Sequence, residues 1–224
     1  MKQRIARGLK LGLSREWATR LARLRTPEAV QDFVTSIPMN FEEQGWTARS
    51  VEEALRHNEA HCIEGAMVAA CALAMAGRKP LLMDMGAAEG DDDHVLALFR
   101  HGRYWGAVSK SNGAYLRWRD PIYRSLYELA LSYFPEYAKG RRKMLRTYSA
   151  SVDLRRLDPK LWVTRKKACV EVIELLTRAR HFRLVPREQE RRLRKIDPIE
   201  AHAYSITEYV DPHAYYPEDE RQAC

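Results

Sequence analysis

The feature that most constrains this chain is the run over residues 62–77, CIEGAMVAACALAMAG, in which almost every side chain is apolar or small. Its Gly and Ala residues leave no polar face, so other elements can approach closely on most sides. Gly77 supplies the residue type with which many helices end. The run therefore predicts a buried central helix, around which the rest of the fold must pack.

Helix signals precede this run. Apolar residues at helical spacing predict a helix over residues 14–24. A second helix is predicted after Thr26, a capping residue followed by proline, and Pro38 ends it. Ser50 begins a Ser-x-x-Glu capping box and predicts a third helix, which breaks just before the central run.

Strand signals follow the central run. Residues 80–85 are short and apolar, and residues 94–108 predict a β-hairpin around a glycine turn. Asp120, followed by proline, predicts the start of a helix, and residues 164–180 predict another amphipathic helix. Helices followed by strands predict an α+β fold.

The same patterns predict how the chain is divided. Residues 1–45 are expected to form a helical segment packed on the core, and residues 46–184 an α+β core with a helical extension. Residues 185–224 are expected to form a charged tail without a core of its own. The apolar stripe of the basic N-terminal segment is expected to dock on the core, and binding to an anionic membrane surface is the alternative.

Cysteine usage limits the class of protein. The four cysteines are widely spaced, with no Cys-x-x-Cys pair, which argues against a disulfide framework and against a zinc ribbon. Free thiols suit a reducing compartment, and no stretch approaches the roughly 20 apolar residues of a membrane-spanning helix. We expect a cytoplasmic protein without a transmembrane segment, a cofactor or a metal. A metal bound by His57 and His61 together with Cys62 or His94 stays open as an alternative.

Positive charge is concentrated in one part of the chain. Residues 139–195 carry 19 Lys and Arg against 6 Asp and Glu, within a total formal charge of +8. Such a section attracts phosphates or acidic partners. It lacks the interleaved aromatic residues that stack on bases, and no nucleic-acid-binding motif is present. Binding of nucleic acid or another anion is therefore a weaker alternative.

Cys62 is the cysteine whose position suits chemistry. A thiol in the first turn of a helix lies at the positive end of the helix dipole, which stabilises the thiolate. Cys71 and Cys169 are expected to lie inside helices and lack this benefit. His94 is the candidate general base, because it opens a strand directly after an acidic loop. A third polar group should orient its imidazole.

The order of these elements resembles the transglutaminase-like superfamily of papain-type cysteine enzymes. The resemblance is carried by HCIEGAMVAACALAMAG-RKPLLMDM and by DDDHVLALFRHGRYWGAVSK, within roughly residues 46–135. It implies a central helix that opens with the cysteine and packs on a small antiparallel sheet, with additional N- and C-terminal helices. It also implies Cys62 as the nucleophile and His94 as the base of a Cys-His-Asp triad. The family's aspartate follows a tryptophan, here Trp105, and the matching position near Ser109 holds no aspartate.

Several residues could complete the site that the resemblance implies. Ser109 or Asn112 could take the place of the aspartate, and Asp93 of the acidic loop could hold the imidazolium. His61 would shape or polarise the site beside the cysteine.

Three functions are consistent with these residues. The first is acyl transfer on an amide or peptide bond through a Cys62 thioester, by a hydrolase, an amidase or a transglutaminase-type transferase. Its substrate would be a protein, a peptide or a small amide. The second is a catalytically degenerate domain of the same type, which serves as a binding or accessory module for a partner protein. The third is anion or nucleic-acid binding through residues 139–195.

Overall fold

The computed structural model describes residues 1–212 and shows an α+β fold, as expected. Five helices come before the sheet in the chain. Ser14, Thr26 and Ser50 cap the second, third and fourth of them, and each side chain accepts a hydrogen bond from a backbone N–H in the first turn. The five helices are α1 (Lys2–Lys10), α2 (Arg15–Leu21), α3 (Pro27–Ser36), α4 (Val51–His57) and α5 (Cys62–Met75).

The central sheet is antiparallel at every pairing. Its strand order is β4-β3-β2-β1-β7-β9, and β8 also pairs with β1. The strands of this sheet are β1 (Leu81–Ala87), β2 (His94–His101), β3 (Tyr104–Val108), β4 (Arg119–Tyr123), β7 (Leu145–Ser149), β8 (Val152–Asp153) and β9 (His181–Arg183). A separate ribbon consists of β5 (Ala138–Lys139) and β6 (Arg142–Lys143), and the later helices are α6 (Leu126–Tyr133), α7 (Val170–Thr177), α8 (Arg187–Glu190) and α9 (Pro198–Tyr204).

Helix α5 is almost completely buried, as its composition predicts. Its small residues allow close contacts: a Cβ on Gly65 would lie 2.5 Å from the Cβ of Lys110. One core cluster joins α1–α5 and α7 to one face of the sheet, where Leu82 packs. A second cluster joins α6 to the opposite face, where Met83 and Met85 pack. This division follows the alternation of side chains along β1.

Two of the predicted helix bounds were wrong. Asp120 lies in strand β4 and not at a helix start; α6 begins later, where Ser125 Oγ accepts a hydrogen bond from Glu128 N at 3.1 Å. Pairing with β3 extends this segment, and its proline is tolerated because β4 is an edge strand. Helix α7 is shorter than predicted and begins at Val170, because the N–H of Cys169 donates to Ala48 O instead of to a helical carbonyl.

The ends of the described chain pack on the body of the protein. Ile5, Trp17 and Leu24 of the N-terminal segment pack against the first core cluster, while Leu9 is 38% exposed. In the C-terminal part, Ile196 is buried. The last twelve residues of the predicted tail, 213–224, lie outside the described residues. None of the helices in residues 1–212 combines the length and the apolar character needed to cross a bilayer.

Candidate active site

Cys62 is the first residue of α5, and the structure places it at the wall of a cavity of about 630 Å³. The preceding helix α4 ends where Asn58 adopts a left-handed conformation, so the chain turns within a few residues into the N-cap residue His61. The Cys62 side chain is partly exposed. Its backbone N–H belongs to the first helical turn, where N–H groups have no partner within the helix and can bind an oxyanion.

His94 and Ser109 meet on neighbouring strands. His94 is the first residue of β2, and Ser109 directly follows β3. Ala97 pairs with Val108 in this antiparallel register, so Ser109 and His94 are diagonal neighbours on the same face. His94 Nε2 lies 2.8 Å from Ser109 Oγ, in the position where the family resemblance places an aspartate contact.

The hydrogen bonds of Ser109 determine which nitrogen of His94 carries the proton. The Ser109 hydroxyl donates its only proton to Leu116 O, because a carbonyl can only accept. Ser109 Oγ must therefore accept from His94 Nε2–H. In the neutral ring this leaves Nδ1 with its lone pair free, which is the state that a general base requires.

His61 is a second imidazole at the thiol. Its Nδ1 lies 3.9 Å from Cys62 Sγ. Its Nε2 lies 3.3 Å from Thr47 O, and it is 3.5 Å from a Glu42 and 3.6 Å from a Glu64 carboxylate oxygen. The ring therefore has the thiol on one side and two carboxylates on the other. This is the Cys-His-carboxylate order of a catalytic triad, although it lies on the N-cap side and not on the sheet side.

The charges around Cys62 favour a thiolate. Burial raises the pKa of the thiol, but hydrogen bonds and charge interactions with the His61 and His94 imidazoles outweigh burial and lower the pKa to about 5. For His61 the same balance works in the opposite direction. Burial lowers its pKa, whereas the Cys62 thiolate and the carboxylates of Glu64 and Glu42 raise it to about 9. A thiolate–imidazolium pair is the preferred state between these two values.

The Glu64 carboxylate holds together the segment of the chain that precedes α5. Its side chain is fully buried, and its carboxylate accepts hydrogen bonds from Arg49 N at 2.8 Å and from His61 N at 3.1 Å. The side chains of Thr47 and Asn40 each donate to the same carboxylate at 2.9 Å. Four donors compensate for the cost of burying this charge. Sequence reasoning missed Glu64 as a site residue, although the H-C-x-E spacing places it at the third helical position.

Gln31 fixes the backbone that carries Ser109. Its amide nitrogen donates to Ser109 O at 2.9 Å, and its amide oxygen accepts from Ser109 N at 2.9 Å. Gln31 is 8% exposed and belongs to α3, which therefore packs against the end of β3. No spacing in the sequence links a glutamine in an N-terminal helix to the end of β3, so this contact could not be predicted.

The side chains of three expected site residues have partners other than the His94 ring. Asn112 lines the cavity, but its side-chain amide donates to Tyr209 O and accepts from Tyr209 N, both at 2.9 Å. The Asp93 carboxylate accepts from Ala87 N at 2.8 Å, while its backbone carbonyl lies 4.0 Å from Cys62 Sγ.

Trp105 is the third of these residues. It packs against the second core cluster, with the Arg100 guanidinium 4.5 Å above its ring, and it is not among the described residues that line the cavity.

Asp84 and His181 form a further pair at the cavity that the sequence did not reveal. Asp84 lies on β1, is 8% exposed, and its Oδ2 lies 3.0 Å from His181 Nε2. His181 Nδ1 donates to Ala179 O at 2.8 Å, so one proton must be shared between the facing nitrogen and the carboxylate. Burial raises the pKa of Asp84, and the His181 contact opposes this effect.

The other candidate thiols and the candidate metal ligands are used differently. Cys71 and Cys169 are buried, and burial raises the pKa of each to about 12. His57 faces Glu53 at 3.7 Å. Within residues 1–212 no group of three or more His, Cys, Asp or Glu side chains is arranged to hold a metal ion.

The comparisons with known proteins do not test the resemblance to the transglutaminase-like superfamily. A scan against models of protein families and a search of curated proteins both gave no match.

Proposed function

We propose that this protein catalyses acyl transfer on an amide or peptide bond, with Cys62 as the nucleophile. The observation that carries the proposal is the position of Cys62 at the start of a buried helix, at the wall of a cavity that His61 and His94 also line. A thiol in such surroundings is the usual form of an activated cysteine nucleophile. The resemblance to the transglutaminase-like superfamily supports the same assignment.

The reaction follows from the protonation states. The Cys62 thiol gives its proton to His94 Nδ1, and the resulting thiolate attacks the carbonyl carbon. A C–S bond forms, and the oxyanion accepts a hydrogen bond from the Cys62 backbone N–H. The C–N bond then breaks, and the imidazolium of His94 gives its proton to the leaving amine. The neutral imidazole next takes a proton from water or from an incoming amine, which attacks the thioester and releases Cys62 as thiolate.

The two imidazoles have different roles in this proposal. His94 transfers the proton, because its Nε2–H is bound by Ser109 and its Nδ1 is free to act as the base. His61 stabilises the thiolate as an imidazolium, because its far nitrogen faces Glu42 and Glu64. In a Cys-His-Asp triad one histidine both stabilises the thiolate and transfers the proton. In this proposal His61 does the first and His94 the second. A protein, a peptide or a small amide would be the substrate.

The second candidate function is a domain of the same type that binds a partner protein without turnover. The observation that favours it is Ser109, a neutral residue that faces His94 where the resemblance expects an aspartate. A serine holds the ring in place but adds no negative charge to stabilise its imidazolium. The enzyme requires Cys62 in its reduced form, so we propose that the protein acts in the reducing cytoplasm.

The experiment that tests the enzyme proposal measures acylation directly. The full chain would be incubated with p-nitrophenyl acetate, an activated acyl donor, and release of p-nitrophenol would be followed by absorbance. We expect a burst of one equivalent, and we expect the peptide that contains Cys62 to gain one acetyl group that hydroxylamine removes. The variant His94→Ala should slow deacylation more than His61→Ala does, because only His94 activates water in this mechanism.

The outcomes separate the two candidate functions. The variant His202→Ala removes an exposed histidine from α9 and serves as the matched control. A burst that His202→Ala retains and Cys62→Ala abolishes supports the enzyme. If Cys62 reacts with iodoacetamide like an ordinary thiol and no acetyl group is found on it, the enzyme proposal is wrong and the binding module remains.

A further inference from the structure

A second cavity of about 460 Å³ lies far from Cys62, in the corner between α1, the end of α5 and the segment that follows β8. Its volume falls in the range typical of small-molecule sites. Apolar side chains form much of the wall, and the described residues that line it also include four cations. The apolar lining residues are Leu11, Ala74, Pro80, Leu154, Leu157, Pro159 and Trp162; the cations are Arg7, Lys10, Arg78 and Arg155.

The cations in this wall are not balanced by carboxylates of the wall itself, since none of the described lining residues is Asp or Glu. Arg7 Nη1 donates to the backbone oxygen of Met75 at 3.3 Å, and Arg78 Nη1 donates to the backbone oxygen of Arg100 at 2.5 Å. These contacts use one nitrogen of each guanidinium. Arg155 is different because it is paired with Asp153 at 2.6 Å. Like charges in one concave wall repel each other and favour a bound anion.

The backbone at the end of α5 leaves space for Arg7. Gly77 has φ of +88°, and a Cβ at this position would lie 2.8 Å from Arg7 Nη1. The glycine thus ends the helix and also allows the guanidinium to lie against the chain at the cavity rim. Arg7 is only partly exposed there. Lys10, one helical turn further along α1, and Arg78 are both exposed and can reach a ligand at the same rim.

The wall also contains a buried donor without an acceptor. Trp162 is 1% exposed, and in residues 1–212 its indole Nε1 is the buried side-chain nitrogen or oxygen atom that has no hydrogen-bond partner. Buried polar groups are nearly always paired, so this one calls for a partner that the chain itself does not supply. Because Trp162 lines the cavity, its indole N–H signal can report on a ligand that binds there.

We propose that this cavity binds a small organic anion, a phosphate or carboxylate carried on an apolar body. Arg7, Lys10 and Arg78 would hold the anionic group, and the apolar wall around Trp162 would hold the rest. The cavity is lined by the C-terminal end of α5, whereas Cys62 begins the helix, so the two sites are separated by roughly the 21 Å that 14 helical residues span. The ligand would therefore bind independently of the Cys62 chemistry, and this proposal does not rest on the proposed function.

Nuclear magnetic resonance of the full chain tests the proposal, with phenyl phosphate as the probe. The indole N–H signal of Trp162, assigned by its loss in Trp162→Phe, should shift on titration. Phenol and inorganic phosphate should each bind at least about tenfold more weakly, because each lacks one half of the recognised structure. The variants Lys10→Ala and Arg78→Ala should each weaken binding about tenfold, since each removes one charge-assisted contact. Alkylation of Cys62 should not change.

The control variant Lys166→Ala/Lys167→Ala removes two exposed positive charges that do not line the cavity. A similar loss of affinity in this variant and in Lys10→Ala/Arg78→Ala would overturn the proposal. An unmoved Trp162 signal would also overturn it. If the protein then binds phosphatidylcholine vesicles that contain phosphatidylglycerol, the cations act by adsorption to a charged surface. If the cavity binds dihexanoyl phosphatidic acid more tightly than phenyl phosphate, the natural ligand is a lipid; the reverse order indicates a soluble ester. Either order supports the cavity.

Discussion

His94 Nε2 donates a hydrogen bond of 2.8 Å to Ser109 Oγ, and the Ser109 hydroxyl in turn donates a hydrogen bond to Leu116 O. This short relay holds the imidazole in the tautomer that a base needs, without a carboxylate. It differs from a Cys-His-Asp triad in one respect: the relay orients the ring but adds little to the stability of its charged form. In this chain the carboxylates lie instead behind His61.

Ser109→Ala removes the acceptor of His94 and leaves a buried N–H without a partner. We expect the free energy of unfolding to fall by about 1–3 kcal/mol, and we expect Cys62 to react more slowly with iodoacetamide because the ring can then adopt either tautomer. Urea unfolding and the alkylation rate measure the two effects. Ser111→Ala, two residues away at the same cavity, is the control and should change the alkylation rate little. An unchanged rate in Ser109→Ala would mean that the relay does not orient His94.

The pH dependence of Cys62 tests the two pKa shifts. Because the pKa of Cys62 is lowered to about 5, its alkylation should reach half of its plateau near pH 5, well below the pKa of about 8.5 of a free thiol. A lowered thiol pKa stabilises the fold above the unfolded value, and this contribution is lost as the pH falls through 5. The raised pKa of His61 acts in the opposite sense: its contribution is complete below the unfolded value of about 6.5 and is lost as the pH rises through about 9.

The variants separate the contributions of the two rings. His61→Gln and His94→Gln should each move the midpoint of Cys62 alkylation upward, toward that of a free thiol, because each removes an imidazole whose interactions lower the pKa of the thiol. Mass spectrometry of each cysteine provides an internal control, since burial raises the pKa of Cys71 and Cys169 to about 12 and both should stay unmodified in the folded protein. A midpoint that only one variant moves would assign the thiolate to a single imidazole.

Glu64→Gln tests the buried carboxylate behind His61. The substitution keeps the shape of the side chain but places an NH₂ group among four donors, so at least one of them loses its acceptor. We expect a loss of about 1.5–3 kcal/mol in the free energy of unfolding, as for hydrogen bonds to a charged group. The alkylation midpoint of Cys62 should also rise, because the His61 imidazolium loses a carboxylate that stabilises it.

The control for this variant is Glu43→Gln, at an exposed position in the same segment. It should change neither the stability nor the midpoint. If Glu64→Gln destabilises the protein but leaves the midpoint where it was, Glu64 acts only as a structural group and does not influence the charge on His61.

The sequence predicts the elements of this fold better than the contacts between them. The composition of α5 and the position of Cys62 at its start follow from local rules, because small residues and capping patterns act within one turn of a helix. The helix predicted at Asp120 was wrong because pairing with β3, a contact along the sheet, decides the conformation there.

The same distinction applies to the site. His94 and Ser109 could be proposed from their places on a hairpin, where register brings distant residues together. Gln31, 78 residues from Ser109 in the chain, could not, because only the packing of α3 against the end of β3 makes that contact. The contact between His181 and Asp84 could not be proposed either, because the two residues are 97 apart in the chain.

The C-terminal segment provides the last prediction, because it braces the loop that carries Leu116. Thr207 forms an isolated antiparallel β-bridge with Gly113. The side-chain nitrogen and oxygen of Asn112 form hydrogen bonds with the backbone of Tyr209. Asn112→Ala removes two hydrogen bonds, so amide exchange across residues 206–210 and 112–117 should speed up by about tenfold or more.

Hydrogen exchange read by mass spectrometry measures this effect, and the peptide over α5 serves as the internal reference, because that helix is buried. If the loop also loosens around Leu116, the Ser109 relay weakens, and Cys62 alkylation should slow in Asn112→Ala to a smaller extent than in Ser109→Ala. His202→Ala, an exposed substitution in α9 just before the segment, is the control and should leave both readouts near those of the wild type. Faster exchange at 206–210 with unchanged exchange at 112–117 would show that the segment does not brace the loop.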